Sequence, residues 1–330
     1  MRRRKYKNKK IMLTSFILLM CLAVGYSAFN TVINLKAKGN VYNKVDLCYT
    51  TSDNGDGTVT ITDYDKTCGT EVNIPKTIKG KSVTKIGERA FQNKGLTIVT
   101  FPDTITFIGS NSFSGNKLKE LEVPSSVIEI GAYAFRCMYI SKLKLHEGLQ
   151  IIGMDAFQGN YLIEINIPNS VTSLGGGSFA ANSVTGDDAF IYGRNSDGSI
   201  NYEVLSCYAG KDATGTVIPD TVTKILSEAY NTVKYETIDI PAKIKDIPQY
   251  CFAETRATKI TLHEGLESIG EHAFGYNRYL EEISIPSTVT VIGYEAFPVT
   301  LKTININKSA NSITGAPWGA TNAQINWNAK

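Results

Sequence analysis

Residues 118–135 have the sequence LKELEVPSSVIEIGAYAF, and close variants of this stretch recur through most of the chain. Its last residue returns every 22 positions, as Phe91, Phe113, Phe135, Phe157 and Phe179. A second series follows at Tyr230, Phe252, Phe274 and, after 23 positions, Phe297. The consensus is roughly LxxIxIPxxVxxIGxxAFxxN. A fixed period of this size is typical of a solenoid, in which one short unit stacks on copies of itself.

Elementary chemistry explains each part of the unit. The alternation of apolar and polar residues in 121–123 predicts a strand with one buried face. Pro124 cannot donate to a strand ladder, so it ends the strand. Gly131 allows a tight corner or a positive φ, and Phe135 then carries a large apolar group inward. The sequence therefore predicts a repeat solenoid with a parallel β-sheet on one face and coils of 22 residues.

A recurring asparagine follows the aromatic residue by three positions. We expect these amides to bond to neighbouring backbone turns as a ladder, because an amide both donates and accepts hydrogen bonds. The residues are Asn116, Asn160, Asn182 and Asn277.

The repeated IPxxVxxIGxxAF pattern resembles the BspA-like leucine-rich repeat proteins of bacterial surfaces, from about Val72 to Trp327. That resemblance implies a leucine-rich solenoid on the outside of a host-associated bacterium. It also implies an adhesin, or a binder of host matrix proteins or of other cells. It identifies no ligand.

The first thirty residues indicate export. Seven positive charges and no acid stand within residues 1–10, and residues 11–29 carry no charge. A basic segment followed by an apolar one is typical of an export signal. The apolar stretch is also just long enough to span a bilayer, which favours a retained anchor with the repeats outside. Cleavage after the small residues around Gly25 would instead release a secreted form.

The net charge changes sign once this segment is set aside. The whole chain carries a formal charge of +3, and without the seven N-terminal positives the remainder carries −4. Nucleic acid is therefore not indicated as a partner.

The pattern predicts seven regions along the chain. They are a signal or transmembrane anchor at 1–29, a linker at 30–44, an N-terminal β cap at 45–71, a first repeat array at 72–184, an inserted hairpin or variant coil at 185–215, a second array at 216–307 and a C-terminal cap at 308–330.

Cysteine use fits an exported protein. Cys48 and Cys68 flank a hairpin turn at residues 53–57, and a disulfide between them would suit an oxidising exterior. Free thiols remain the alternative. Cys137, Cys207 and Cys251 are interpreted as small buried fillers rather than reactive groups.

The interruption between the two arrays has two interpretations. Residues 187–210 contain two apolar stretches separated by Asn195-Ser196-Asp197-Gly198, which is typical of a hairpin. Inserts in solenoids can serve binding. A variant coil that adjusts the curvature is the alternative.

Motifs of catalysis are missing from the sequence, which contains no GxSxG, HExxH, P-loop or dinucleotide fingerprint. His146 and His263 occupy a turn slot that other coils give to proline. His272 falls in a variable corner slot and is expected to be exposed. We expect no enzyme activity, no cofactor and no metal site.

The outward positions of the predicted strands are the candidate ligand face. Acidic and basic coils alternate there, which favours either cross-strand charge ladders or a broad polar contact with a partner. We interpret Lys142 and Lys144, and likewise Lys259, as lying between acidic coils. The candidate residues are Glu120, Glu122, Lys142, Lys144, Glu164, Thr237, Asp239, Lys259 and Glu282.

The sequence thus favours a cell-surface protein that mediates protein–protein contacts or adhesion to host or neighbouring cells. The partner is a protein or glycan that the sequence does not identify, and the membrane is reached through the N-terminal segment. A passive envelope scaffold or spacer without a specific ligand is the alternative.

Overall fold

The computed structural model describes residues 44–215 and 218–328. The compact unit begins at Cys48. The predicted signal or anchor at 1–29 lies outside the described residues, as does the linker up to residue 43. Within the described ranges, no helix is long and apolar enough to cross a membrane.

The fold is a β-solenoid whose coils stack through two rows of short parallel strands. The first row is formed by the strands that precede the prolines, as the alternating pattern predicts. Its members are β3 (Glu71–Asn73), β6 (Ile98–Thr100), β8 (Glu120–Glu122), β10 (Lys142–Lys144), β15 (Asp212–Gly215), β17 (Lys234–Ile240), β19 (Lys259–Leu262), β21 (Glu282–Ile285), β23 (Thr303–Ile306) and β24 (Gln324–Trp327).

The second row ends at the Ile-Gly motif of each coil. Its strands are mostly two residues long, and the sequence analysis placed no sheet there. The members are β5 (Lys81–Ile86), β7 (Phe107–Ile108), β9 (Glu129–Ile130), β11 (Ile151–Ile152), β12 (Ser173–Leu174), β14 (Ile200–Tyr208), β16 (Lys224–Ile225), β18 (Asp246–Ile247), β20 (Ser268–Ile269) and β22 (Val291–Ile292).

Pairing is in register from coil to coil. In the first row Leu121 of β8 lies beside Leu143 of β10, and in the second row Ile130 lies beside Ile152. Three pairs are antiparallel: β1 (Tyr49–Asp53) with β2 (Thr58–Tyr64), β4 (Thr77–Ile78) with β5, and β13 (Phe190–Arg194) with β14. Strand β2 also pairs parallel with β5 and so begins the second row. Short 3₁₀ helices cover Lys44–Cys48, Lys66–Cys68 and Gly186–Ala189.

A column of stacked aromatic rings fills the core. Ring centroids of Phe91 and Phe113 are 4.8 Å apart, and those of Phe135 and Phe157 are 5.4 Å apart, with planes within 10° of parallel. In the second array Tyr230 stacks on Phe252 at 5.0 Å. These rings are fully buried. The predicted solenoid of about 22-residue coils is confirmed.

The interruption between the arrays is one enlarged coil. Tyr208 stacks on Tyr230 at 6.0 Å, and it lies 22 residues before Tyr230 and 29 after Phe179. Its strand β14 forms the antiparallel hairpin with β13 and also pairs parallel with β16 in the second row. The hairpin tip folds back on the first array, because a Cβ on Gly198 would lie 1.9 Å from the carbonyl oxygen of Asn169. Residues 185–215 thus contain a hairpin whose second strand continues the solenoid.

The corner after each Ile-Gly motif has an unexpected conformation. The motif glycine does not adopt a positive φ. It is needed because coils approach closely: a Cβ on Gly175 would lie 2.3 Å from the backbone nitrogen of Met154. The left-handed residue comes two positions later, with φ between 48° and 64° in Arg89, Asn111, Tyr133, Asp155, Glu228, Tyr250, His272 and Glu295.

The asparagine ladder is confirmed. The side-chain amide of Asn116 donates to the carbonyl oxygens of Phe91 (2.7 Å) and Phe113 (2.6 Å), and its oxygen accepts from the amide of Leu96 (2.9 Å). Asn160, Asn182 and Asn277 likewise donate to the aromatic residues of their own and the preceding coil. Each ladder residue therefore satisfies backbone carbonyls that would otherwise be buried without a partner.

The cysteines of the described residues divide into three kinds. Cys48 and Cys68 form a disulfide beside the hairpin of β1 and β2. Cys207 and Cys251 are buried, and burial raises the pKa of the Cys207 thiol to about 12. The interpretation of Cys137 as a buried filler is wrong. It lies exposed at a second left-handed corner position of its coil, with φ of 53°, outside the core that buries Cys207 and Cys251.

Candidate interaction surface

The outward side chains of the first row form ion pairs between coils. The ammonium of Lys142 lies 2.6 Å from the Glu120 carboxylate, and that of Lys144 lies 2.8 Å from the Glu122 carboxylate. The hydrogen bond to Lys144 holds the pKa of Glu122 below its ordinary value. These side chains are more than half exposed. Their charges are therefore largely matched within the protein.

The turn histidines complete the same ladders. His146 Nε2 lies 2.8 Å from Glu122, and His263 Nε2 lies 2.7 Å from Asp239. In both cases the histidine of one coil faces the carboxylate of the coil before it. The Leu-His-Glu-Gly-Leu variant of the repeat therefore adds a cross-coil contact as well as a turn.

The structure brings together only part of the predicted ligand face. Residues 161–168 form no strand, and Glu164 accepts a hydrogen bond from Asn166 of the same segment. In the first row, β10 is therefore followed by β15, with no strand from residues 161–168 between them. The charged side chains of the two arrays do not form one continuous row. The face is thus divided between the two arrays.

Within the second array, Thr237 lies beside Lys259 and Asp239 lies beside Thr261. Among the described residues, Lys259 makes no ion pair, so its position between acidic coils gives no direct contact with them. Glu282 accepts a 2.6 Å hydrogen bond from Asn305 of the following coil.

A second surface lies at the corners of the second array and was missed by the sequence analysis. It contains Tyr250, Glu271, His272, Tyr276, Tyr294 and Glu295, which we call the aromatic–acidic ridge. The prediction that His272 is exposed is wrong: its ring stacks on Tyr250 at 4.6 Å and on Tyr276 at 5.8 Å, which leaves 8% of the residue exposed.

The spacing of the corner residues in the sequence could have predicted the aromatic–acidic ridge. Corner slots share one position in each coil, so Tyr250 and His272 are separated by the same 22 residues as the core phenylalanines. Comparing that slot across coils would have placed these rings side by side. The core positions alone do not reveal these rings, because the residues in the corner slot vary from coil to coil.

A buried polar cluster lies where the arrays meet. Asp155 is 1% exposed and Glu228 is 7% exposed. The Cβ position on Gly177, in the coil between them, would lie 2.0 Å from Asp155 Oδ1 and 2.7 Å from Cβ of Glu228. Burial, and next the Glu228 charge, raise the pKa of Asp155 to about 8 against the opposing effect of Arg136. Within the described residues, no three His, Cys, Asp or Glu side chains are grouped so as to hold a metal ion.

Comparison with known families identifies the repeat. The model of the BspA type leucine-rich repeat region matches residues 64–185 and 205–318, in six copies. This chain belongs to the BspA-type leucine-rich repeat family. The interruption in the match coincides with the 3₁₀ helix, β13 and the start of β14 in the enlarged coil.

Two solved structures with TM-scores above 0.5 share the fold at low identity, and a third is similar at a lower score. The pneumococcal vaccine antigen PcpA is 16% identical with a TM-score of 0.56, over 91% of this chain and all of that one. A leucine-rich repeat protein from Eubacterium ventriosum is 22% identical with a TM-score of 0.53, over 82% of this chain and 73% of that one. A leucine-rich cell surface protein from Faecalibacterium prausnitzii is 23% identical with a TM-score of 0.43, over 86% of this chain and 94% of that one. None of the curated proteins matches this sequence.

Proposed function

We propose that this chain is a cell-surface leucine-rich repeat protein that mediates protein–protein contacts or adhesion to host or neighbouring cells. The observation that carries the proposal is the repetition of exposed side chains at the same position in successive coils. Such rows form the extended surface with which solenoids contact large partners. Membership of the BspA-type family supports the same role.

We further propose that residues 1–29 direct export and hold the protein at the outer face of the membrane, with release where the segment is cleaved. The seven basic residues ahead of the uncharged stretch support this orientation. Regions 45–71 and 308–330 would then protect the two ends of the repeat arrays. Protease treatment of intact cells tests the location: degradation of the repeats supports it, and full protection contradicts it.

A passive envelope scaffold is the second candidate. It is favoured by the cross-coil pairs Glu120–Lys142 and Glu122–Lys144, which neutralise much of the first-row surface. A surface whose charges are matched internally offers little to a charged partner. Binding by the chain decides between the two functions.

The deciding experiment uses the full-length chain purified in mild detergent. Its binding is measured at physiological salt to host matrix proteins, mucins and glycans, with heat-unfolded chain as the control. Saturable binding by the folded chain alone is the expected result. If the folded chain binds no member of the panel, the result favours the passive scaffold.

A further inference from the structure

The aromatic–acidic ridge holds several aromatic rings in place and leaves two of them, Tyr276 and Tyr294, open to solvent. His272 stacks between Tyr250 and Tyr276, with planes within 16° of parallel, and meets Tyr294 edge-on at 6.0 Å. Tyr276 is 54% exposed and Tyr294 is 70% exposed. Since the central ring is buried, the outer rings are presented on a rigid support.

Two carboxylates flank the same rings. Glu271 lies 3.5 Å from His272 Nε2, and Glu295 lies 3.6 Å from His272 Nδ1. Both glutamates are nearly half exposed. A hydrogen bond with Glu295, followed by that residue's charge, raises the pKa of Tyr294. In the described part of the chain, neither glutamate forms an ion pair with Lys or Arg.

The fold itself does not require this chemistry. The same corner slots in the first array hold Glu88 and Arg89, then Ser110 and Asn111, with the same left-handed backbone. There Arg89 lies 3.5 Å from Glu88, so the acid has a basic neighbour. The ridge is therefore a local property of the second array rather than of the repeat.

We propose that the aromatic–acidic ridge binds a cationic side chain, Lys or Arg, in a basic segment of a partner protein. A cation above the face of a tyrosine is attracted by the ring's electrons, and the attraction increases when a carboxylate accepts its hydrogen bonds. The described residues already contain two such contacts: the Lys211 ammonium lies 3.6 Å from the centroid of the Tyr161 ring, and the Arg136 guanidinium lies 5.4 Å from that of Tyr133. This assignment rests on the proposed adhesive function and gives it a location.

Charge favours a basic peptide over a neutral sugar. The groups beside the rings are carboxylates, which accept hydrogen bonds and carry negative charge, and the exposed Glu254 occupies a nearby corner position in the preceding coil. A sugar hydroxyl both donates and accepts hydrogen bonds, whereas an ionised carboxylate only accepts them, which suits a cationic donor.

The test measures binding of a fluorescent ten-residue lysine peptide to the full-length chain. We expect saturable binding that weakens roughly tenfold in Tyr276→Ala/Tyr294→Ala and in Glu271→Gln/Glu295→Gln. Binding should also weaken as salt rises, since exposed charges are screened over about 8 Å at physiological ionic strength.

Matched controls separate the ridge from general charge. Tyr139→Ala/Tyr202→Ala removes two other exposed tyrosines, and Glu88→Gln/Glu203→Gln removes two other exposed acids. Both should retain wild-type affinity, and all variants should retain the wild-type melting temperature. Equal weakening by the controls, or ridge-dependent binding of a neutral glycan in place of the peptide, would overturn the assignment.

The same variants distinguish this inference from the function on which it rests. If a host protein binds the wild-type chain and binds the ridge variants equally well, the ridge assignment fails and the adhesive function stands. If no host protein binds the wild-type chain, the adhesive function fails.

Discussion

The repeat glycine illustrates how a single residue is fixed by its neighbours. The sequence indicated a corner, and glycine's freedom of φ was the obvious reason. In the structure, Gly175 is required because the coil beneath it leaves no room for a Cβ. The left-handed conformation is instead adopted by Asp155, His272 and their equivalents, which are not glycine. Single-residue propensity could not predict this, because the constraint comes from the adjacent coil.

We expect Gly175→Ala to destabilise the protein by about 1–3 kcal/mol, the usual cost of overpacking. Its Cβ would press on the backbone nitrogen of Met154, which has little freedom to move. Chemical denaturation measures the loss. Ser173→Ala, at an exposed position on the strand just before Gly175, should change stability little. Equal effects of the two substitutions would argue against close coil contact.

Asp155 should make stability depend on pH. Its pKa of about 8 in the folded protein lies above the ordinary 3.8, mainly because of burial and then Glu228. Its favourable contribution is therefore complete below about pH 4 and is lost as pH rises towards 8, at about 1.4 kcal/mol per pKa unit.

Asp155→Asn should remove this dependence, since the amide stays neutral. Denaturation at pH 5 and pH 9 checks it: the variant should gain stability relative to wild type at the higher pH. Asp188→Asn, at an exposed aspartate, serves as the control. If the stability of Asp155→Asn equals that of the wild type at both pH 5 and pH 9, Asp155 is ionised in the folded protein.

At the scale of strands and coils, the period predicted most of the architecture. The first row and the asparagine ladder follow from alternation and from the recurring amide. The second row could not be predicted in this way, because two-residue strands are too short to show alternation of apolar and polar residues. The enlarged coil was seen as an interruption, yet Tyr208 lies one period before Tyr230 and continues the aromatic column.

The charge ladder can be tested by reversal. Glu120→Lys/Glu122→Lys places four lysine side chains on adjacent strands β8 and β10, so the melting temperature should fall slightly, and more at low salt than at high salt. Adding Lys142→Glu/Lys144→Glu restores opposite charges and should recover most of the loss. A melting temperature unaffected by reversal at any salt concentration would mean that the pairs do not stabilise coil register.

For the whole molecule, the sequence was sufficient for the solenoid but not for the interaction surface. Core residues repeat because every coil faces the same neighbours, whereas exposed corner residues are free to vary and so carry no period of their own. The predicted ligand face is divided by the segment at 161–168, and its best-formed part pairs its charges internally. Exposed corner residues such as Tyr276 and Tyr294 are less constrained by packing than core residues, which is why function is better sought there.

Ring stacking joins successive coils within each array, from Phe91 to Phe179 in the first and from Tyr208 to Phe297 in the second. The hydrophobic core runs in two clusters that meet near Leu205 and Tyr208, in the enlarged coil. Each coil buries its ring only against its neighbours, so a defect in the middle of an array should weaken every contact across it.

Unfolding of Phe157→Ala in denaturant is the most direct test of this stacking. Phe157 is fully buried between Phe135 and Phe179, at 5.4 Å and 5.1 Å. Its loss should cost about 3–5 kcal/mol, as expected for removing a buried aromatic side chain. Tyr139→Ala, which removes a half-exposed ring, should cost much less. A stability for Phe157→Ala equal to that of the wild type would contradict the stacked solenoid.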